Sequence, residues 1–84
     1  MQISGIAIAV PESEMGSCLE NLRALDGVEV HHAFPEQGKI VVVQETETRE
    51  QQEAGLRRIQ ALPGVLTAEL VYHYLDEEAR RGRS

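Results

Sequence analysis

Cysteine occurs once, at Cys18, and tryptophan not at all. A single thiol excludes an internal disulfide and any zinc site built on a cysteine pair. Aromatic residues are limited to Phe34, Tyr72 and Tyr74. Basic side chains are scarce too: eight Lys and Arg stand against fourteen Asp and Glu, a net charge of −6. Such a field repels phosphate backbones and argues against nucleic-acid binding. No apolar run approaches the ~20 residues of a membrane helix. The opening Met1-Gln2-Ile3-Ser4-Gly5 has no basic stretch of the kind that starts a signal peptide. A reducing cytoplasm is therefore the expected location. The 84 residues allow one small domain and no separate catalytic one.

What is present is well patterned. Ile3 to Val10 alternates bulky and small residues and reads as a strand, ended by Pro11. Ser13 is a plausible N-cap, and Met15, Cys18, Leu19, Leu22 and Leu25 then mark one helical face, stopped at Asp26-Gly27. Val28 to Phe34 alternates again. Pro35-Glu36-Gln37-Gly38 is a turn, and the β-branched run Ile40 to Val43 suits a central strand, so this pair makes a hairpin. Thr48 with Gln51 fits a capping box, and Leu56, Ile59 and Leu62 carry the face of a second helix ended by Pro63-Gly64. Val65 to Tyr74 is the last strand. Residues 1–75 form the expected domain; residues 76–84, charged and apolar-poor, are expected to be a disordered tail.

Leu22-Arg-Ala-Leu-Asp-Gly-Val28 repeats as Ile59-Gln-Ala-Leu-Pro-Gly-Val65. Each copy is a helix end, a glycine turn and a strand entry. The order is βαββαβ, an α+β fold of the ferredoxin-like split βαβ plan. This plan has a four-stranded antiparallel sheet of order 4-1-3-2 with both helices on one face. The bulky parity, Ile6, Ile8, Val10, Ile40, Val42, Leu66, Leu70 and Tyr72, is expected beneath the helices.

The other parity then lines an uncovered face. Ile3, Gly5, Ala7 and Ala9 come from the first strand, Val41 and Val43 from the third, and Thr67, Glu69, Val71 and His73 from the fourth. The second strand adds Glu29, His31 and Ala33. Gly5, Ala7 and Ala9 form a shallow apolar trough, with Glu29 and Glu69 at its rim. An apolar patch of this kind marks an interaction site. Its shape leaves a partner's helix and a second copy of the chain both open.

Chemistry is hard to place on this chain. His31 and His32 are adjacent, so on a strand they face opposite ways and share no metal; a His31–His73 pair lacks a third ligand. Cys18 lies on an apolar helix face and reads as a core thiol. Glu12, Glu14, Glu45 and Glu47 flank helix starts, where the helix dipole explains them. No glycine-rich phosphate loop exists, and the central strands carry no aromatic platform for RNA. No catalytic residue, metal or cofactor is expected.

Several strings together resemble the NapD family. They are Ile3-Ser4-Gly5-Ile6-Ala7-Ile8, Gly27-Val28-Glu29-Val30, Gly38-Lys39-Ile40-Val41-Val42-Val43 followed by acids, and Gly64-Val65-Leu66-Thr67-Ala68-Glu69-Leu70-Val71-Tyr72-His73. The resemblance covers residues 2 to 78. It implies a small cytoplasmic chaperone for maturation of the periplasmic nitrate reductase. Such a chaperone binds the twin-arginine signal peptide of the catalytic subunit as a helix on the open sheet face and delays export until the molybdenum cofactor is in place. It carries no cofactor itself. The trough would take the apolar segment, with Glu29, Glu45 and Glu69 as candidates for the arginines. The Arg80-Arg81-Gly82-Arg83 end departs from the family's acidic tail. A homodimer is possible, and a small-molecule-sensing or dimerisation module of the same plan is the alternative reading.

Overall fold

In the computed structural model the bulky residues of the first and third strands are completely enclosed: Ile6, Ile40 and Val42 have no exposed surface, and Ile8 and Val10 almost none. They belong to β1 (Gln2–Ala9) and its continuation, and to β3 (Lys39–Thr46). The remaining elements are α1 (Met15–Arg23), β2 (Val28–Phe34), α2 (Arg49–Gln60) and β4 (Thr67–Leu75). The structure describes residues 1–75, the last three by backbone alone; the expected tail at 76–84 lies outside the described residues. The sheet order is β2-β3-β1-β4, with every neighbouring pair antiparallel. This is the 4-1-3-2 plan read from the other edge.

Both helices pack on the side that carries Ile6, Ile8, Ile40 and Val42. Met15, Cys18 and Leu22 from α1 and Ile59 from α2 complete the core, with Leu19, Leu25, Leu56 and Leu62 partly buried around it. Burying side chains of this size contributes about 1.5–3 kcal/mol each. Among the described residues no helix lies on the opposite side of the sheet.

Helix ends follow local chemistry, with one correction. Thr48 caps α2: its Oγ1 accepts from the Gln51 amide at 3.1 Å. In return the Gln51 side chain accepts from the Glu47 amide at 2.9 Å. Ser13 is not an N-cap. It sits in a single 3-10 turn, Glu12–Glu14, that leads directly into α1, and Glu14 holds the cap position without a side-chain bond. The repeated helix stops are real structural copies: Gly27 and Gly64 both adopt positive φ, 76° and 87°.

Three residues expected in the core are outside it. Leu66 is 68% exposed, Leu70 42% and Tyr72 49%. Leu66 precedes β4, where its amide donates to the Ala9 carbonyl at 2.8 Å. In the last strand the fully inward position falls to Ala68.

Candidate functional site

The uncovered face is assembled row by row by strand pairing. Along the two inner strands Lys39 lies opposite Ala9, Val41 opposite Ala7, Val43 opposite Gly5 and Glu45 opposite Ile3. On the β2 side Phe34, His32 and Glu29 extend the first three rows. On the β4 side Thr67, Glu69 and Tyr72 do the same. Ile3, Ala7, Ala9, Val41 and Val43 are half-buried, whereas Glu29, Glu45, Thr67 and Glu69 are exposed. The face therefore has an apolar centre and a polar, net-acidic border.

Both edge strands carry a β-bulge, and each bulge reverses the side-chain parity beyond it. In β2 the pairing shifts between Val30 and His32, leaving His31 as the extra residue. Strict alternation put His31 and Ala33 on the open face. Instead His32 and Phe34 take that side, their rings stacked with centroids 5.8 Å apart, and Ala33 packs against the core. His31 and His32 do not point to opposite faces, since their ring centroids are only 5.5 Å apart.

In β4 the shift falls between the pairs Gly5–Tyr72 and Ile6–Leu70, so Val71 is the extra residue. Tyr72, expected beneath the helices, comes to the open face. The edge of its ring fills the space that a Cβ on Gly5 would take. Glycine at position 5 is thus required by close approach. Val71, expected on the open face, is the bulge residue and is 56% exposed. His73, expected there too, is described by its backbone alone, which pairs with Ser4.

The trough is consequently not one continuous channel. Tyr72 closes it at Gly5, leaving two hollows. One of about 190 Å³ is lined by Gly27, Val28, Glu29, Val43 and Glu45. The other, about 180 Å³, has Ala7, Ile8 and Ala9 as its floor and Lys39, Thr67 and Glu69 around it. Among the described residues Glu29, Glu45 and Glu69 form no ion pair, which leaves their carboxylates available to a basic partner. A larger recess of about 410 Å³ lies off this face, between the end of β3 and α2. At its base the Gln44 amide is already committed, donating to the Gln52 carbonyl at 3.2 Å.

Other chemistry is sparse. Among the described residues no group of three or more His, Cys, Asp or Glu is placed to hold a metal ion, and no helix is long and apolar enough to cross a membrane. Cys18 has no exposed surface, and burial, with a smaller contribution from the charge of Glu14, pushes its thiol pKa up. The protonated form is a poor nucleophile. Alkylation by a maleimide at neutral pH is expected to run at least ~100-fold slower in the folded chain than in urea, because it waits on opening of the core. Equal rates would show that α1 does not seal the thiol.

Beyond Glu29, Glu45 and Glu69, the side chains that shape this face are His32, Phe34 and Tyr72, which simple alternation misplaces. Apolar runs in the sequence do not mark the bulges: Leu70-Val71-Tyr72 spans one, but the longer run Ile40 to Val43 keeps an unbroken register with β1.

The model of the NapD protein family matches residues 1–77. The solution structure of the E. coli Tat proofreading chaperone protein NapD is similar, with a TM-score of 0.80 at 25% identity, over 90% of this chain and 80% of that one. No curated protein sequence matches this chain.

Proposed function

This chain belongs to the NapD family, and on that premise we propose that it is a non-enzymatic proofreading chaperone that binds the twin-arginine leader of a periplasmic nitrate reductase catalytic subunit. Binding takes place in the cytoplasm and holds the precursor until its cofactor is loaded. The likeness to a Tat proofreading chaperone supports this reading.

The observation that carries it is the uncovered sheet face. An amphipathic helix docks by laying its apolar side into a groove. Ile3, Ala7, Ala9, Val41 and Val43 supply that groove, and Glu29, Glu45, Thr67 and Glu69 form its polar border. A twin-arginine leader has both matching parts, a basic beginning and an apolar continuation. Gly5 lets Tyr72 join the surface. Val71, at the bulge, lies at its margin. Exposed ion pairs contribute only about 0–1 kcal/mol each, so apolar burial supplies most of the affinity.

Calorimetric titration of the full chain with a synthetic leader peptide tests the reading. One-to-one saturable binding that persists, somewhat weakened, in high salt is expected. A folded protein that takes up no peptide, and that sediments as a dimer in which this face is buried, would replace the chaperone by a dimerisation module.

A further inference from the structure

We infer that the leader docks with a fixed polarity, its arginines in the hollow between Glu29 and Glu45 and its apolar segment running on to the hollow over Ala7 and Ala9, parallel to β1. The inference rests on the chaperone reading and adds the direction and spacing of the bound peptide.

The face offers one track. Four strands about 4.8 Å apart span about 14 Å, room for a single helix of ~10–12 Å diameter. His32 and Phe34 border it on one side, Glu69 and Tyr72 on the other. A helix on this track follows the strands, so only its sense remains to be fixed.

Charge fixes the sense. The first hollow is flanked by Glu29 and Glu45, both exposed and both without an ion pair among the described residues. Two carboxylates there can each meet a guanidinium through paired N–H bonds. The second hollow has an apolar floor and Lys39 at its edge, with Glu69 as the single acid. Arginines placed there would face Lys39. The C-terminal end of a peptide helix, whose free carbonyls carry partial negative charge, is instead favoured beside Lys39.

Spacing then follows from the strand. Val43 and Lys39, one at each hollow, are four residues apart on β3, about 13 Å. A helix covers that distance in eight or nine residues at 1.5 Å each. The leader should therefore present a bulky apolar side chain about eight positions after its arginines, on the same helical face.

The test uses the isotope-labelled full chain and a synthetic peptide of two adjacent arginines followed by an apolar helical segment, with a nitroxide at one end or the other. An N-terminal label is expected to broaden the amides of residues 27–29 and 43–45. A C-terminal label should broaden those of 7–9, 39–41 and 67–69. The exchanged pattern, or equal broadening at both ends by both labels, overturns the polarity and leaves face docking standing. A spectrum that no amount of peptide alters overturns the chaperone reading itself. In a second arm, Glu29→Gln combined with Glu45→Gln should weaken binding about tenfold. The same double variant should bind a peptide with both arginines replaced by glutamine as the wild type does. A double variant with wild-type affinity for the arginine peptide also overturns the assignment.

Discussion

Ala7→Glu is expected to reduce affinity for the leader peptide by more than ~100-fold while leaving the domain folded. Ala7 sits on the floor of the apolar hollow, opposite Val41 on one side and Glu69 on the other. In the free protein a glutamate there still reaches water, so its main folding cost is repulsion from Glu69 across the strands, a few tenths of a kcal/mol to about 1 kcal/mol. Under a docked helix the same carboxylate is enclosed against apolar side chains. Burying a charge without a partner costs several kcal/mol, and about 1.4 kcal/mol is already tenfold. The peptide's arginines offer no rescue if they occupy the far hollow. Ala7→Ser serves as the control, since it keeps the depth of the floor and should bind within about threefold of wild type. Titration calorimetry gives the affinities, and circular dichroism confirms the fold. Wild-type binding by a folded Ala7→Glu protein would remove this face from the chaperone's working surface.

The two inner strands were fully legible because nothing interrupts them. β1 and β3 are paired on both sides and hold an unbroken register with each other from Gln2–Thr46 to Ala9–Lys39. Period two therefore placed Ile6, Ile8, Ile40 and Val42 inward and Ala7, Ala9, Val41 and Val43 outward without error. The edge strands each carry a bulge, and one inserted residue undoes alternation from that point on. Everything misplaced on this surface lies at or beyond Val30 in β2 or Leu70 in β4. Bulges are common on edge strands, where the twist they add discourages pairing with another sheet. The same feature brings Tyr72 over Gly5 and divides the trough. The composition of the face was thus readable, while its relief depended on where two strands slip by one position.

Helix stops carry a second layer that the repeat alone hides. Gly27 and Gly64 occupy equivalent places and share a left-handed backbone. They differ in what surrounds them. A Cβ on Gly64 would stand 2.9 Å from the Cβ of Glu14, which is carried by the short turn before α1 and not by the sheet. A Cβ on Gly27 would stand 2.7 Å from the Glu45 carbonyl oxygen, which is held in the sheet. The Gly27 carbonyl also accepts from the Glu45 amide at 2.8 Å, tying the turn after α1 to the end of β3.

The largest loss of stability is accordingly expected from Gly27→Ala. Forcing an L-residue into the left-handed region costs about 1–2 kcal/mol at either glycine. At Gly27 the fixed carbonyl adds to this, for a total of about 3 kcal/mol. A domain of this length has roughly 5–10 kcal/mol in all. Gly27→Ala should therefore lower Tm by roughly 12–24 °C, and Gly64→Ala by about half as much. The effect reaches the binding surface, because Gly27 lines the hollow between Glu29 and Glu45 and its bond to the Glu45 amide fixes that end of the strand. Below its lowered Tm, Gly27→Ala should still weaken peptide binding, and Gly64→Ala should not. Thermal melts of the two variants side by side decide the first point. Equal shifts would mean that backbone conformation alone sets the cost and that the Glu45 carbonyl yields freely.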